Sequence, residues 1–180
     1  MDSALNKCIS RRNNMKIYIG IDPGKSGGVS ILSENTISAH RCPENEGDMY
    51  AILKIAHSRA NLDEIAVIME HVWAFPSDSS KAAFTFGRNF GSWITALEIL
   101  ELKYELVRPK KWQTFFNTPK MEKKERKRWL KEKAQNYVDN SEEPFRVTFN
   151  TSDAILIGLY CKNENATDFI SYHDPGDETG

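Results

Sequence analysis

Residues Ile17-Tyr18-Ile19-Gly20-Ile21-Asp22-Pro23-Gly24 constrain this chain more than any other stretch. Ile17, Ile19 and Ile21 fall on one face of an extended segment, and Lys16, Tyr18, Gly20 and Asp22 on the other. Pro23 and Gly24 then end the strand, since proline offers no N–H to a ladder and glycine accepts turn dihedrals. A carboxylate thus stands at the end of a rigid strand, with small residues behind it that leave room for a cation or a phosphate.

The rest of the chain supplies layers for that strand. Gly27-Gly28-Val29-Ser30-Ile31-Leu32 reads as a second strand and residues 36–41 as a third, giving an antiparallel meander. Residues 48–60 carry Met49, Ile52, Leu53, Ile55 and Ala56 at helical spacing. Ile65-Ala66-Val67-Ile68-Met69 is continuously apolar until Glu70, as in a central strand covered on both faces. After a turn at Pro76-Ser77-Asp78, a long helix is expected over residues 79–102, with Gly87, Gly91 and Ala96 leaving small-residue gaps. A short strand at residues 105–107, a short helix at 110–116, a basic helix at 123–137 and an apolar helix at 150–160 follow. This order predicts an α/β domain, a mixed sheet with helices on its faces, over residues 15–162. Residues 1–14 are expected to be a disordered extension and residues 163–180 a loose polar tail.

No apolar run is long enough to span a bilayer, and the N-terminus lacks the apolar centre of a secretory signal. Cys8, Cys42 and Cys161 are odd in number and show neither a disulfide framework nor zinc spacing. That suits a reducing compartment: the cytoplasm of a bacterium or phage-infected cell, or an organelle. Net charge is only −1, but it is unevenly spread. Lysines and arginines crowd residues 120–133, while Asp168, Asp174, Asp177 and Glu178 lie in the tail. Gly24-Lys25-Ser26 is not a phosphate-binding P-loop, because the required first glycine would fall at Ile19. The four histidines lack ligand spacing.

Asp22, Glu70 and Asp153 each interrupt or open an otherwise apolar element. Two strand ends and one helix start can bring them together, and burying such charges is costly unless a cation offsets them. Phosphodiester hydrolysis by two metals needs such converging carboxylates. The plainer reading is three separate surface or capping carboxylates, with Asp153 serving only its helix N-terminus.

Five motifs occur in a telling order: Gly20-Ile21-Asp22-Pro23-Gly24, Met69-Glu70-His71-Val72-Trp73, Phe86-Gly87-Arg88-Asn89-Phe90-Gly91, Val107-Arg108-Pro109-Lys110-Lys111-Trp112 and Ser152-Asp153-Ala154-Ile155-Leu156-Ile157-Gly158-Leu159-Tyr160. Together they resemble RuvC-type Holliday junction resolvases, in particular their phage and organellar branch, over about residues 16–161. The resemblance implies a ribonuclease H-like fold with a mixed five-stranded sheet, a homodimer, and two Mg²⁺ or Mn²⁺ ions per site. It also implies paired nicking of four-way DNA junctions, in recombination, repair or the resolution of branched replication products. By motif position, Asp22, Glu70 and Asp153 carry over as catalytic metal ligands. The family's fourth ligand, three residues before the last aspartate, is here Asn150, which brings an amide oxygen but no charge. This departure keeps open a non-cleaving junction-binding protein. An actin-like ATP-binding domain shares the opening strand motif, but 180 residues leave no room for its second lobe.

For the DNA itself, Lys120, Lys123, Lys124 and Lys127 are the phosphate-contact candidates, although Glu122, Glu125 and Glu132 interleave with them and a solvated charged face is the plainer alternative. Trp73 holds the position where the resembled family brings an aromatic to the junction centre, against the alternative of a packed core tryptophan; Phe75 is a second candidate. Arg88, read either as a phosphate contact or as only part of the dimer helix surface, and Lys111 complete the DNA-facing set. The long helix, with its glycines, is the expected dimer surface.

Overall fold

The alternating stretch forms the centre of a sheet. The computed structural model describes residues 15–71, 73 and 79–167. The expected extension at 1–14, Phe75, the turn at 76–78 and residues 168–180 of the expected tail lie outside them. Strands β1 (Ile17–Asp22), β2 (Gly28–Leu32), β3 (Ile37–Arg41), β4 (Ile65–Glu70) and β5 (Tyr104–Val107) form one sheet in the order β3-β2-β1-β4-β5. The first three strands are antiparallel neighbours, as the meander predicts, while β1, β4 and β5 run parallel.

Side-chain alternation divides the core in two. Ile17, Ile19 and Ile21 pack with Met49 and Leu53 of helix α1 (Glu46–His57) and with Trp93 and Leu97 of helix α2 (Ser80–Ile99). Tyr18 and Ile68 face the opposite layer, built from helices α3 (Pro109–Phe115), α4 (Lys123–Asp139) and α5 (Ser152–Thr167). β4 feeds both cores, Val67 and Met69 into one and Ile68 into the other, which explains its uninterrupted apolar run. Ile19 and Ile21 are fully buried; each such side chain contributes about 1.5–3 kcal/mol.

Local chemistry starts the helices where the pattern needs them. Asn45 caps α1 by accepting from the Asp48 amide at 2.8 Å, and Ser79 caps α2 by accepting from Ala82 at 3.2 Å. Pro109 opens α3, where its missing N–H is harmless. The small-residue gaps of α2 split by face. Ala96 is buried in the core, whereas a Cβ added at Gly87 or Gly91 would meet nothing within 4 Å. Helix α5 corrects the expected end at residue 160 and the loose start of the tail. It stays helical to Thr167, and Lys162 Nζ donates to the Ser33 carbonyl at 3.1 Å. That tertiary anchor holds polar residues in a helix that their hydropathy does not call for. Among the described residues no helix is long and apolar enough to cross a membrane.

α5 lies directly on the sheet. Ser30 Oγ donates to the Ala154 carbonyl at 2.7 Å, and Gly20 faces Gly158 with no side chain between them. A Cβ built on Gly20 would stand 2.2 Å from Gly158 N and 2.3 Å from Ala154 O. Neither backbone atom can yield as a flexible side chain would. Gly20→Ala is therefore expected to cost about 1–3 kcal/mol by overpacking. The thermal midpoint read by circular dichroism should fall by about 2–4 °C per kcal/mol; an unchanged midpoint would refute the close docking.

Candidate metal and nucleic-acid site

Three carboxylates meet where the sheet, α5 and α4 come together. β1 and β4 are adjacent and parallel, with Ile21 opposite Met69, so Asp22 and Glu70 follow side by side at their ends. Both project to the α5 side by the alternation that puts Tyr18 and Ile68 there, and their carboxyl groups share a hydrogen bond. Asp153 sits in the first turn of α5, brought close by the Gly20–Gly158 contact, and its charge acts on both. Glu70 is 8% exposed and accepts a 2.8 Å hydrogen bond from the indole Nε1 of the fully buried Trp112.

The electrostatics are those of crowded acids. Burial, and then the charges of Glu70 and Asp153, hold the Asp22 carboxyl well above the usual carboxylate range, with Lys127 opposing. Burial raises Glu70 to about 7; hydrogen bonds from Trp112 and Asp22 pull it down, and the charge of Asp153 pushes it up. Asp153 is raised by burial, against the hydroxyl of Ser152 and the cations Lys127 and Arg126. Among the described residues no three His, Cys, Asp or Glu side chains close around one ion as they stand. The donor chemistry nevertheless fits a hard divalent cation: the donors are all carboxylate oxygens, and their crowding and burial disfavour leaving all three charges uncompensated. Asp22 and Glu70 form the contacting pair, with Asp153 beside them.

The other expected site residues divide. Asn150 is half-buried at the rim and donates its amide Nδ2 to the Ser26 carbonyl at 3.1 Å. Lys127 reaches the carboxylates electrostatically, and with Lys124, Phe149 and Asn150 it lines an open groove beside them. Lys120, Lys123 and Lys124 are exposed. Trp73 is 66% exposed, its ring 4.4 Å from that of His71, so it is not a packed core tryptophan. Two cations are held elsewhere. Lys111 Nζ lies 3.3 Å from Glu105 Oε1 and over the ring of Tyr160, and Arg88 Nε lies 3.3 Å from Glu46 Oε1. Sequence reasoning missed three contributors: the Trp112 indole, Arg126 and the Asn89 amide, which accepts from the Gly24 N–H at 2.7 Å. Only Trp112 carried a usable signal. An indole one helical turn after the strand that pairs with Glu70 is well placed to donate to it.

No family model and no curated protein matches the sequence. Solved structures do. The structure of T. thermophilus RuvC in complex with Holliday junction substrate aligns with a TM-score of 0.54 at 16% identity, covering 84% of this chain and 96% of that one. The Thermus thermophilus RuvC structure gives 0.55 at 18% identity, with the same coverage. The fold is that of RuvC. The mixed five-stranded sheet flanked by helices, expected from the ordered motifs, is therefore present in the RuvC arrangement. At this identity the RuvC likeness fixes architecture, and the chemistry rests on the side chains above.

Proposed function

We propose that this chain is a structure-selective endonuclease that cleaves four-way DNA junctions by metal-dependent phosphodiester hydrolysis. The observation that carries the reading is the contact between the Asp22 and Glu70 carboxyl groups, with the charge of Asp153 acting on both. One buried and two half-buried acids crowded together are costly to keep ionised unless the site binds cations. Asp22, Glu70 and Asp153 would hold Mg²⁺ or Mn²⁺. A pair of such ions supplies Lewis-acid stabilisation of the attacking and leaving oxygens and lowers the pKa of water.

The chain's own groups do the rest. Trp112 fixes one oxygen of Glu70. Lys120, Lys123 and Lys124 offer exposed charge to phosphates, Lys124 from the groove that it shares with Lys127, and Lys127 extends that charge to the carboxylates. Trp73 presents an exposed ring on which an unpaired base can stack, worth about 1–3 kcal/mol per base. Paired cleavage needs two sites. The open face of α2, with Gly87 and Gly91 uncovered and Phe84 and Ile99 exposed, is the surface proposed for a homodimer. Cys42 and Cys161 are buried and unpaired, in keeping with a reducing compartment. The junction-bound RuvC structure of the same fold supports branched DNA as the substrate.

The test is nicking of a synthetic four-way junction beside a linear duplex of the same sequence, with Mg²⁺ and with chelator. Metal-dependent nicks confined to the junction are expected; an intact junction under all conditions refutes the proposal. For the basic rim, Lys123→Ala with Lys124→Ala should weaken junction binding and lower the slope of log K against log salt by up to about 2. Binding isotherms at three salt concentrations check this, and an unchanged slope would exclude these lysines.

A further inference from the structure

The turn that follows Asp22 is held at both ends by asparagine side chains from distant parts of the chain. At its start, the Gly24 N–H donates to Asn89 Oδ1 of α2 at 2.7 Å. At its end, Asn150 Nδ2 donates to the Ser26 carbonyl at 3.1 Å. Between them the turn closes on itself, Gly27 N donating to Gly24 O at 2.9 Å. The Asn89 amide is oriented by its own second contact, Nδ2 to Cys42 Sγ at 3.1 Å, which leaves Oδ1 for the turn.

The backbone here tolerates little else. Gly24 has φ +115°, a conformation that side chains resist. A Cβ on Gly27 would stand 2.0 Å from Asp22 O and 3.0 Å from Asp22 Cγ. The turn is therefore packed against the carboxylate it follows, and displacing the turn displaces Asp22. Glycine adopts this conformation without strain, so the turn is fixed by its partners, and the two amides are the side-chain hydrogen bonds that hold it.

We propose that Asn89 and Asn150 are positioning residues for Asp22, clamping the turn at residues 23–27 from α2 and from the lead-in to α5, and that Asn150 serves as a strut rather than a metal ligand. The inference rests on the reading of Asp22 as a metal-site carboxylate and deepens it. The two amides use opposite ends of the same group, which makes the clamp separable from general packing. Asn89 contributes an acceptor that aspartate would retain. Asn150 contributes a donor that aspartate would lose, setting a negative charge against a carbonyl.

The experiment compares full-length wild-type protein with Asn89→Ala, Asn89→Asp, Asn150→Ala and Asn150→Asp. Mn²⁺ binding without DNA is followed by loss of the free-ion paramagnetic signal, and thermal midpoints are taken in chelator. Each alanine variant should raise the Mn²⁺ concentration for half-saturation by about 10–100-fold, the usual effect of losing support around a metal site, while melting within a few degrees of wild type. Asn89→Asp should regain much of the affinity and Asn150→Asp should not. Unchanged Mn²⁺ binding in both alanine variants overturns the proposal, as does tighter binding in Asn150→Asp, which would make position 150 a ligand. If wild type binds no Mn²⁺, the metal-site reading falls, and the clamp is judged by hydrogen exchange at the Gly24 amide. Exchange faster by about tenfold in Asn89→Ala upholds it; equal exchange overturns it.

Discussion

Asp22→Asn is expected to abolish junction nicking and, at the same time, to raise the melting temperature of the metal-free protein at pH 8. The first effect follows from removing one charged oxygen donor from the contacting pair, a loss on the order of 10²–10³-fold for a preorganised electrostatic group. The second follows from the like-charge crowding around it. Asp22 titrates above the normal carboxylate range because burial and the charges of Glu70 and Asp153 disfavour its ionisation, and Glu70 because burial and the charge of Asp153 do. The sign is fixed by linkage. In the folded chain these groups keep protons that the unfolded chain has released, so stability falls as pH rises. For Glu70 the window runs from the ordinary glutamate value of 4.5 to about 7. The penalty is absent below that window and complete above it. An amide at position 22 carries no charge to bury and can donate to Glu70. Relief of about 1–2 kcal/mol corresponds to about 2–8 °C for a chain of this size. Scanning calorimetry in chelator at pH 5 and pH 8 reads it, with the gap between variant and wild type widest at pH 8. A variant less stable than wild type at pH 8 would mean that the carboxylates do not repel as described.

Trp112→Phe should produce the second large effect while leaving the core nearly filled. The indole N–H donates to Glu70 Oε1 at 2.8 Å from a fully buried ring. Phenylalanine keeps most of the ring volume and removes the donor. The lost hydrogen bond favoured the ionised carboxylate, so Glu70 should titrate above about 7 in the variant. Nicking at pH 7 is expected to fall by about 10–100-fold, the range for groups that orient metal-site donors, with partial recovery near pH 9 as Glu70 ionises. Stability should drop by about 1–3 kcal/mol, because a buried acceptor is left without a partner. A pH–rate profile of the variant superimposable on wild type would show that the indole does not tune Glu70.

Much of this site was legible before any coordinates. Period-two alternation in residues 17–22 and the uninterrupted run at 65–69 encode faces directly, so the strand ends bearing Asp22 and Glu70 could be placed. Asp153 was legible because a charged residue at the head of an apolar helix is conspicuous. Cross-chain hydrogen bonds were not. Asn89 and Gly24 are 65 residues apart, and nothing in either local pattern announces the other. The same holds for α5 beyond residue 161, where helical state depends on Lys162 reaching the β2–β3 turn rather than on composition. The pairing of Lys111 with Glu105, and of Arg88 with Glu46, likewise depends on which surfaces the fold brings together. A count of basic residues registers only their number.

Where α5 crosses β1, main chain rests on main chain. Ordinary cores absorb wear by letting methyl groups shuffle, but this crossing has no such cushion. The spacing between the acids of strand and helix is therefore inherited from the backbone itself. Altered cavities or swapped aliphatics elsewhere in the interior would soften the molecule long before they changed that spacing.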